Sequence, residues 1–257
     1  KGSVVIYQPA DGYIIILADH VELQNFTLRR GTATIADQDW IRDNNVACTV
    51  KMTDLVLECV GVTVLGYQMF LFTGPGNYTI ERCSYKIVGT GVHHGIHNGT
   101  NSATLHLIDN DFEFIDGDAT GSHVYSSVNG TWTGKGNRWA GTCQMLNVTA
   151  GDFTFDNDAI ICTAGWTNTG STMMLRNCAI EAPVVAGDLA TVRMKNCSYR
   201  AIQRTGTGNI VDEGPDLKDA PWHIERWTWQ AALANAQVAV RGVPLDAGSG
   251  QIIIETL

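Results

Sequence analysis

The sequence predicts an all-β chain folded as a right-handed parallel β-helix, a solenoid whose coils of about 19–28 residues stack along one axis. Two observations lead to this fold class. Short corners containing Asn recur along the chain. The residues before them alternate between apolar and polar with a period of two rather than 3.6, as in "FTFDN", "MMLRN" and "VRMKN". Helical patterning is nearly absent before residue 221, so strands and turns form the repeat.

The N-terminal residues 1–20, with the apolar run "GYIIILA", are predicted to form a strand or cap, and "VELQNFTL" (21–28) a weak first copy of the repeat. The following copies are aligned on the residue after each corner. These markers are Cys59, Cys83, Asp111, Arg138, Asp158, Cys178 and Cys197, with spacings of 24, 28, 27, 20, 20 and 19 residues. Five successive corners are Asn, namely Asn110, Asn137, Asn157, Asn177 and Asn196. Asn tolerates the left-handed backbone region, so each is predicted to turn the chain and to hydrogen-bond between coils.

The remaining elements follow from this frame. The β-helix is predicted over 21–211, and 212–257 is predicted to be a C-terminal cap or oligomerisation segment, because an uncovered coil end is an exposed sheet edge. The coils between Cys83 and Arg138 are longer than the later coils, and their additions fall in 89–102 and 116–131. Loops that grow from one side of a solenoid usually shape its binding face.

Other repeat folds of comparable period do not fit. A leucine-rich repeat requires a Leu-x-x-Leu-x-Leu frame, which is missing, and a propeller blade needs about 40 residues. With its "GNRW", "NDF", "NCAI" and "NCSY" corners, the chain from about 20 to 210 resembles the pectate-lyase-like β-helix superfamily, and within it the phage tailspike type. That resemblance implies a homotrimer on a virion or extracellular surface, in contact with other virion proteins and with a host surface glycan.

Composition narrows the possible partners. The net charge is −9, from 26 acids and 17 bases, and no basic cluster occurs, which excludes the nucleic-acid-binding class. No apolar run approaches the roughly 20 residues needed to cross a bilayer, so no membrane insertion is predicted. Seven Cys without CxxC spacing predict neither a zinc cluster nor a full disulfide framework, although Cys178 and Cys197, in adjacent coils, could form a disulfide bond. No nucleotide-binding motif is present, and no cofactor is predicted.

Three outward carboxylates are the candidate catalytic residues, Glu81, Asp109 and Asp156. With coils about 4.8 Å apart, Glu81 and Asp109 are predicted to stand one coil apart, and Asp109 and Asp156 two. Carboxylates about 5 Å apart suit a retaining glycosidase and about 6.5–9.5 Å an inverting one. The resemblance implies the same chemistry, since tailspike β-helices often cleave polysaccharide with outer-face acids. The alternative is a solvated charge ladder that stabilises coil stacking slightly.

The candidate binding residues are Trp132, His123, Tyr125, His94 and Arg138. Trp132 adjoins a long loop, where its ring is predicted to stack on a sugar. Five of the seven His lie between 93 and 123, and exposed loop His beside Tyr125 are predicted to contact a glycan. A metal site in "HHGIH" is the alternative, but no Cys or acid recurs at zinc-like spacing. Trp222, Trp227 and Trp229 are predicted to be buried in the cap or a subunit contact.

Three functions remain open from the sequence. The first is a tail spike or fibre-like module that binds host cell-surface polysaccharide. The second is a polysaccharide depolymerase, a hydrolase or lyase, in which Arg138 or Arg176 would supply the basic group that a lyase needs beside its acids. The third is a purely structural or decoration subunit whose loops contact sibling proteins.

Overall fold

The computed structural model describes residues 4–8, 14–16, 19–30, 39–43, 47–62, 67–89, 93–99, 103–115 and 121–214. The chain divides into two compact units, Lys1–Asp212 and Glu213–Leu257. The first unit contains every described strand. The predicted cap from 215 onward, with Trp222, Trp227 and Trp229, lies outside the described residues, as do 90–92, 100–102 and 116–120 of the predicted long loops.

Short strands follow one another along the described chain, with no helix among them. The first nine are β1 (Val4–Gln8), β2 (Ile14–Ile16), β3 (His20–Gln24), β4 (Phe26–Arg30), β5 (Asp39–Asp43), β6 (Thr49–Thr53), β7 (Val56–Val62), β8 (Tyr67–Phe72) and β9 (Asn77–Glu81). The next eight are β10 (Ser84–Gly89), β11 (His93–Asn98), β12 (Thr104–Ile108), β13 (Asp111–Ile115), β14 (Ser122–Ser126), β15 (Thr131–Lys135), β16 (Arg138–Gly141) and β17 (Gln144–Val148). The last eight are β18 (Gly151–Asp156), β19 (Ala159–Cys162), β20 (Thr167–Asn168), β21 (Ser171–Arg176), β22 (Ala179–Ala186), β23 (Thr191–Lys195), β24 (Ser198–Arg204) and β25 (Asn209–Asp212).

The strands form three parallel sheets that run along one axis. The first sheet has the order β1-β4-β7-β10-β13-β16-β19-β22-β24, the second β2-β5-β8-β11-β14-β17-β20, and the third β3-β6-β9-β12-β15-β18-β21-β23-β25. Each coil up to β20 therefore contributes one strand to each sheet in turn. This is the right-handed parallel β-helix that the sequence predicts, and the prediction of fold class is confirmed.

Inward residues stack on equivalent residues of the next coil. In the first sheet Tyr85, Phe112 and Trp139 are in register, with ring centroids 4.4 Å and 4.9 Å apart along the stack. In the third sheet Trp132 pairs with Phe153 at 5.7 Å. All five side chains are fully buried. Removing each such ring from water stabilises the fold by about 2–3 kcal/mol, which is why period-two alternation is sufficient to build the solenoid.

The corner between the third and first sheets carries one left-handed residue per coil. These positions are Asn25, Asp54, Arg82, Asp109, Gly136, Asn157, Asn177 and Asn196, with φ between 51° and 70°. The predicted corners Asn157, Asn177 and Asn196 are therefore correct. Asn110 and Asn137 lie one position later, because Asp109 and Gly136 occupy the left-handed position in their coils. The repeat phase predicted for those two coils is wrong by one residue.

Asn110, Asn137 and Asp158 form a buried polar ladder inside the corner. The Asn137 side-chain oxygen accepts from the Asn110 backbone N at 3.1 Å and from its amide Nδ2 at 2.9 Å. Asp158 Oδ1 accepts from the Asn137 backbone N at 2.9 Å, and Asp158 Oδ2 accepts from Trp139 Nε1 at 2.9 Å. Asn110 in turn accepts from the backbone N of Cys83 at 2.8 Å. The ladder satisfies backbone groups that the corner removes from the sheets.

Strands of the second sheet bend in the middle. At least two successive residues are buried in β5, β8, β11, β14 and β17, including Trp40 and Ile41, Met69 and Phe70, Gly95 and Ile96, His123 and Val124, and Met145 and Leu146. The interstrand register omits the first residue of each pair. Residues three apart, such as His94 and His97, therefore lie on the same outer face, which regular alternation would not allow.

Within the described ranges, no helix is long and apolar enough to cross a membrane.

Candidate functional site

Two outer surfaces combine polar groups from neighbouring coils. The first, the histidine–tyrosine patch, consists of Gln68, His94, His97 and Tyr125 on the second sheet. Tyr125 stacks on His94 with ring centroids 4.3 Å apart and meets His97 edge to face at 4.7 Å. All four side chains are half-buried and lie on strands, so the patch is part of the sheet surface rather than a loop.

Hydrogen bonds orient both imidazoles of the patch. His97 Nδ1 donates to Gln68 Oε1 at 2.8 Å, and His94 Nδ1 lies 3.0 Å from the hydroxyl of buried Ser122. Burial lowers the pKa of His97 to about 4, so its ring is neutral at ordinary pH. The patch therefore offers the neutral ring of His97, the oriented ring of His94 and an amide, a surface suited to polar ligands.

The second surface, the threonine cleft, has a volume of about 310 Å³ and lies at the start of the third-sheet strands. Its lining is Ala103, Thr104, Asn129, Gly130, Thr131, Gly151, Asp152, Gly170 and Thr172. Four successive third-sheet strands each contribute one polar side chain to the lining. These side chains are in register from coil to coil, in the order Thr104, Thr131, Asp152 and Thr172. The cleft therefore follows the axis of the solenoid over four coils.

Glycines form the floor of the cleft. At Gly151, where φ is +109°, an added Cβ would lie 2.9 Å from the carbonyl oxygen of Gly130. At Gly130 it would lie 2.9 Å from both the Ala103 carbonyl oxygen and the Asn98 side-chain nitrogen. Side chains at these positions would separate the coils, so the recess depends on glycine here.

Polar atoms without a partner among the described residues lie directly under this floor. They are both side-chain polar atoms of Asn98 and Nε1 of Trp132. Trp132 Nε1 is 3.3 Å from the position that a Cβ would take on Gly130. Both side chains are fully buried. A buried polar group without a partner is costly, and such groups mark places where water or a ligand supplies the missing hydrogen bond.

The structure does not place the three candidate catalytic acids in one column. In the third sheet Glu81 is in register with Ile108, Ile108 with Lys135, and Lys135 with Asp156. Asp109 lies one residue further, at the left-handed corner. Asp109 therefore lies outside the column that contains Glu81 and Asp156, because the repeat phase predicted at Asp109 was wrong by one residue.

Glu81 and Asp156 each have a local interaction. Glu81 forms ion pairs with Lys51 at 3.3 Å and with Arg82. Asp156 accepts a hydrogen bond from the Asn177 amide at 2.8 Å. The contacts of Glu81 with Lys51 and of Asp156 with Asn177 join neighbouring coils.

The candidate binding residues are divided between surface and core. Trp132 and His123 are fully buried, so neither ring can stack on a glycan, and the expectation that they face solvent is wrong. His94 and Tyr125 do lie on one outer surface, the patch described above. Arg138 is exposed on the first sheet, where it forms ion pairs with Asp111 at 2.7 Å and Glu113 at 3.9 Å.

The clustered histidines do not form one loop. His94 and His97 lie in strand β11, and His106 lies on the third sheet, 2.7 Å from the Thr133 hydroxyl. His123 points into the core, and the side chain of His93 lies outside the described residues. Sequence reasoning missed the threonine cleft because recognising it needs the correct register. The signal was a Thr or Asp directly before a buried apolar residue at the start of four successive third-sheet strands.

No model of a known protein family, no curated protein and no solved structure matches this chain. A function is therefore inferred from its residues and their geometry.

Proposed function

We propose that this protein binds a neutral polysaccharide in the threonine cleft, with the sugar chain lying along the solenoid axis. The observation that carries the proposal is the register of Thr104, Thr131, Asp152 and Thr172 along the cleft. Parallel strands are about 4.8 Å apart, so these side chains present a hydroxyl or carboxylate at each such step. A linear polysaccharide presents its own hydroxyls at regular intervals, and weak contacts repeated in register add up.

The chemistry of the lining favours sugar over other polymers. Threonine hydroxyls both donate and accept, as sugar hydroxyls do, and Asp152 accepts charge-assisted hydrogen bonds from a pair of hydroxyls. The net charge of −9 opposes strongly acidic polymers. The unpartnered donors of Asn98 and Trp132 under the floor support a ligand hydroxyl or an ordered water at that point.

The histidine–tyrosine patch is proposed as a second contact for the same ligand. Coils that contribute β11 and β14 to the patch also contribute β12 and β15 to the cleft. The His94 and Tyr125 rings would offer apolar faces to sugar C–H groups, and their polar atoms would offer hydrogen bonds.

Binding rather than cleavage is the proposed activity. Among the described residues of the cleft, Asp152 is the one carboxylate, whereas glycoside hydrolysis needs two. The wider proposal is that the ligand is a host cell-surface polysaccharide and that the protein acts as a homotrimer on a virion or extracellular surface, together with other virion proteins. That part rests on the resemblance to tailspike β-helices.

The test is affinity electrophoresis of the whole protein in gels containing neutral capsular polysaccharide or lipopolysaccharide. Thr131→Val and Asp152→Ala are expected to weaken retention by about 5–100-fold, corresponding to about 1–3 kcal/mol per hydrogen bond lost. Thr191→Val is the matched control, because Thr191 continues the same outward column but does not line the cleft. Equal retention of all three variants, or no retention of the wild type by any glycan, would overturn the proposal. New reducing ends would instead support the depolymerase.

A further inference from the structure

The core contains a cluster of metal-ligating side chains that the proposed function does not use. His123, Cys143 and Cys162 each place one ligand atom within 4.8 Å of the others. They come from β14, from the residue before β17 and from the end of β19, at the corner between the first and second sheets. All three are buried, with exposures of 0–1%.

Hydrogen bonding selects the tautomer of His123. Nε2 lies 2.9 Å from the carbonyl oxygen of Ala140, which can only accept, so Nε2 carries the proton. Nδ1 is then the nitrogen with a free lone pair, and it accepts from the Tyr85 hydroxyl at 2.5 Å. This is the arrangement of a metal-ligating histidine, whose other nitrogen is oriented by a backbone carbonyl.

The two thiols are in contact with one another. Cys143 and Cys162 share a hydrogen bond, and a cation that binds both sulfurs would displace their two protons.

We propose that His123 Nδ1 and the sulfurs of Cys143 and Cys162 form a structural zinc site inside the solenoid. Binding releases two protons, one from each thiol, and leaves a dication with two thiolates, which is electrically neutral. Neutrality matters because the surrounding core is apolar and an uncompensated charge there would be costly.

The geometry needs little rearrangement. Zinc–sulfur bonds of about 2.3 Å and zinc–nitrogen bonds of about 2.0–2.1 Å bring tetrahedral ligands to about 3.5–3.8 Å from one another. A contraction of about 1 Å from the observed limit is enough. The Tyr85 hydroxyl, freed from its hydrogen bond to Nδ1, is an oxygen available for the fourth position.

A second cysteine pair provides an internal control. Cys178 and Cys197 also share a thiol–thiol hydrogen bond, which raises the pKa of Cys178 and lowers that of Cys197. No histidine joins them in a metal-ligating group among the described residues. Both pairs are free thiols in the structure, so a disulfide is the competing state for each.

The test measures metal in the whole protein, expressed with added zinc and purified under reducing conditions. Elemental mass spectrometry is expected to find one zinc ion per chain. Replacement of zinc by Co²⁺ is expected to give a thiolate-to-cobalt charge-transfer band and the strong visible bands of tetrahedral cobalt. The Cys143→Ser/Cys162→Ser variant is expected to lose both signals. The Cys178→Ser/Cys197→Ser variant is expected to keep them.

Three results would overturn the proposal. The first is the absence of zinc and of the cobalt band in reduced wild-type protein, a measurement that does not depend on any variant folding. The second is loss of both signals in the control variant with retention in the test variant. The third is a Cys143–Cys162 disulfide, shown by peptide mapping, in protein isolated without reductant from zinc-containing medium. None of these results bears on glycan retention, so this proposal and the binding function fail independently.

Discussion

Asp158 ends the buried polar ladder, and its substitution by Asn makes a quantitative prediction. Burial raises the pKa of Asp158 from its ordinary 3.8 to about 6, although Trp139 and Asn137 donate hydrogen bonds to it. A pKa difference of about 2 units corresponds to about 3 kcal/mol of folding free energy. At neutral pH the ionised carboxylate of Asp158 therefore lowers the free energy of unfolding by about this amount.

The sign follows from the two states. The folded pKa lies above the unfolded one, so the folded state binds the proton more tightly. The stabilisation is fully present below about pH 4 and is lost as the pH rises through about 6. His97 acts in the opposite direction over nearly the same range, because its folded pKa of about 4 lies below its ordinary 6.5. The wild-type profile alone would thus show near-cancellation, and the informative quantity is the difference between variant and wild type.

Asp158→Asn would remove the titration but also one hydrogen bond. The Asn oxygen can still accept from the Asn137 backbone, whereas its Nδ2 would face the Trp139 N–H, which costs about 1 kcal/mol. The variant is therefore expected to be more stable than wild type by about 2 kcal/mol at pH 8. It is expected to be less stable by about 1 kcal/mol at pH 4, with the sign changing between.

The assay is urea unfolding at pH 8, 6 and 4, followed by tryptophan fluorescence. Glu181→Gln, at an exposed position, is the control and should change stability by less than about 0.5 kcal/mol at every pH. A variant-minus-wild-type difference that stays constant from pH 8 to pH 4 would refute the reasoning, because the Asp158 carboxyl would then titrate alike in both states.

Two further predictions test the ladder and the cleft floor. Asn137→Ala is expected to lower the free energy of unfolding by about 2–4 kcal/mol, because it leaves the backbone N of Asn110 without its partner and removes the hydrogen bond to the Leu107 carbonyl. Asn196→Ala, at an exposed corner, is expected to cost no more than about 1–2 kcal/mol, and an equal loss in both would contradict the ladder. Gly151→Ala is expected to cost about 2 kcal/mol or more by urea unfolding and to weaken glycan retention, because its Cβ would meet the Gly130 carbonyl at φ +109°. Gly165→Ala, whose Cβ would have ordinary contacts at 3.7 Å, should leave both nearly unchanged.

Local chemistry made the fold predictable. Period-two alternation indicates which residues of a strand share a face, and Asn indicates a left-handed corner. Both patterns are visible in a few adjacent residues. Asn157, Asn177 and Asn196 were placed correctly because their coils are short and nearly equal, with 19 residues between the last two. His94 and Tyr125 do lie on one surface, but the reason is the irregular register of the second-sheet strands, which the sequence did not reveal.

Register was decided by the tertiary structure. In the longer coils, with 27 residues between Asn110 and Asn137, the chain turns at Asp109 and Gly136, and the Asn side chains point inward instead. A shift of one residue changes the direction of a side chain, so Asp109 does not share the column of Glu81 and Asp156.

The sequence by itself determined the solenoid, its strand-and-corner repeat and its acidic surface, because these depend on neighbouring residues and on composition. Only the tertiary structure decided that Trp132 is buried beneath the cleft, that Thr104, Thr131, Asp152 and Thr172 share one column, and that His123 meets Cys143 and Cys162. Those contacts join residues about one coil apart or more in the chain. Their alignment depends on the length and path of every intervening turn, and no local pattern records it.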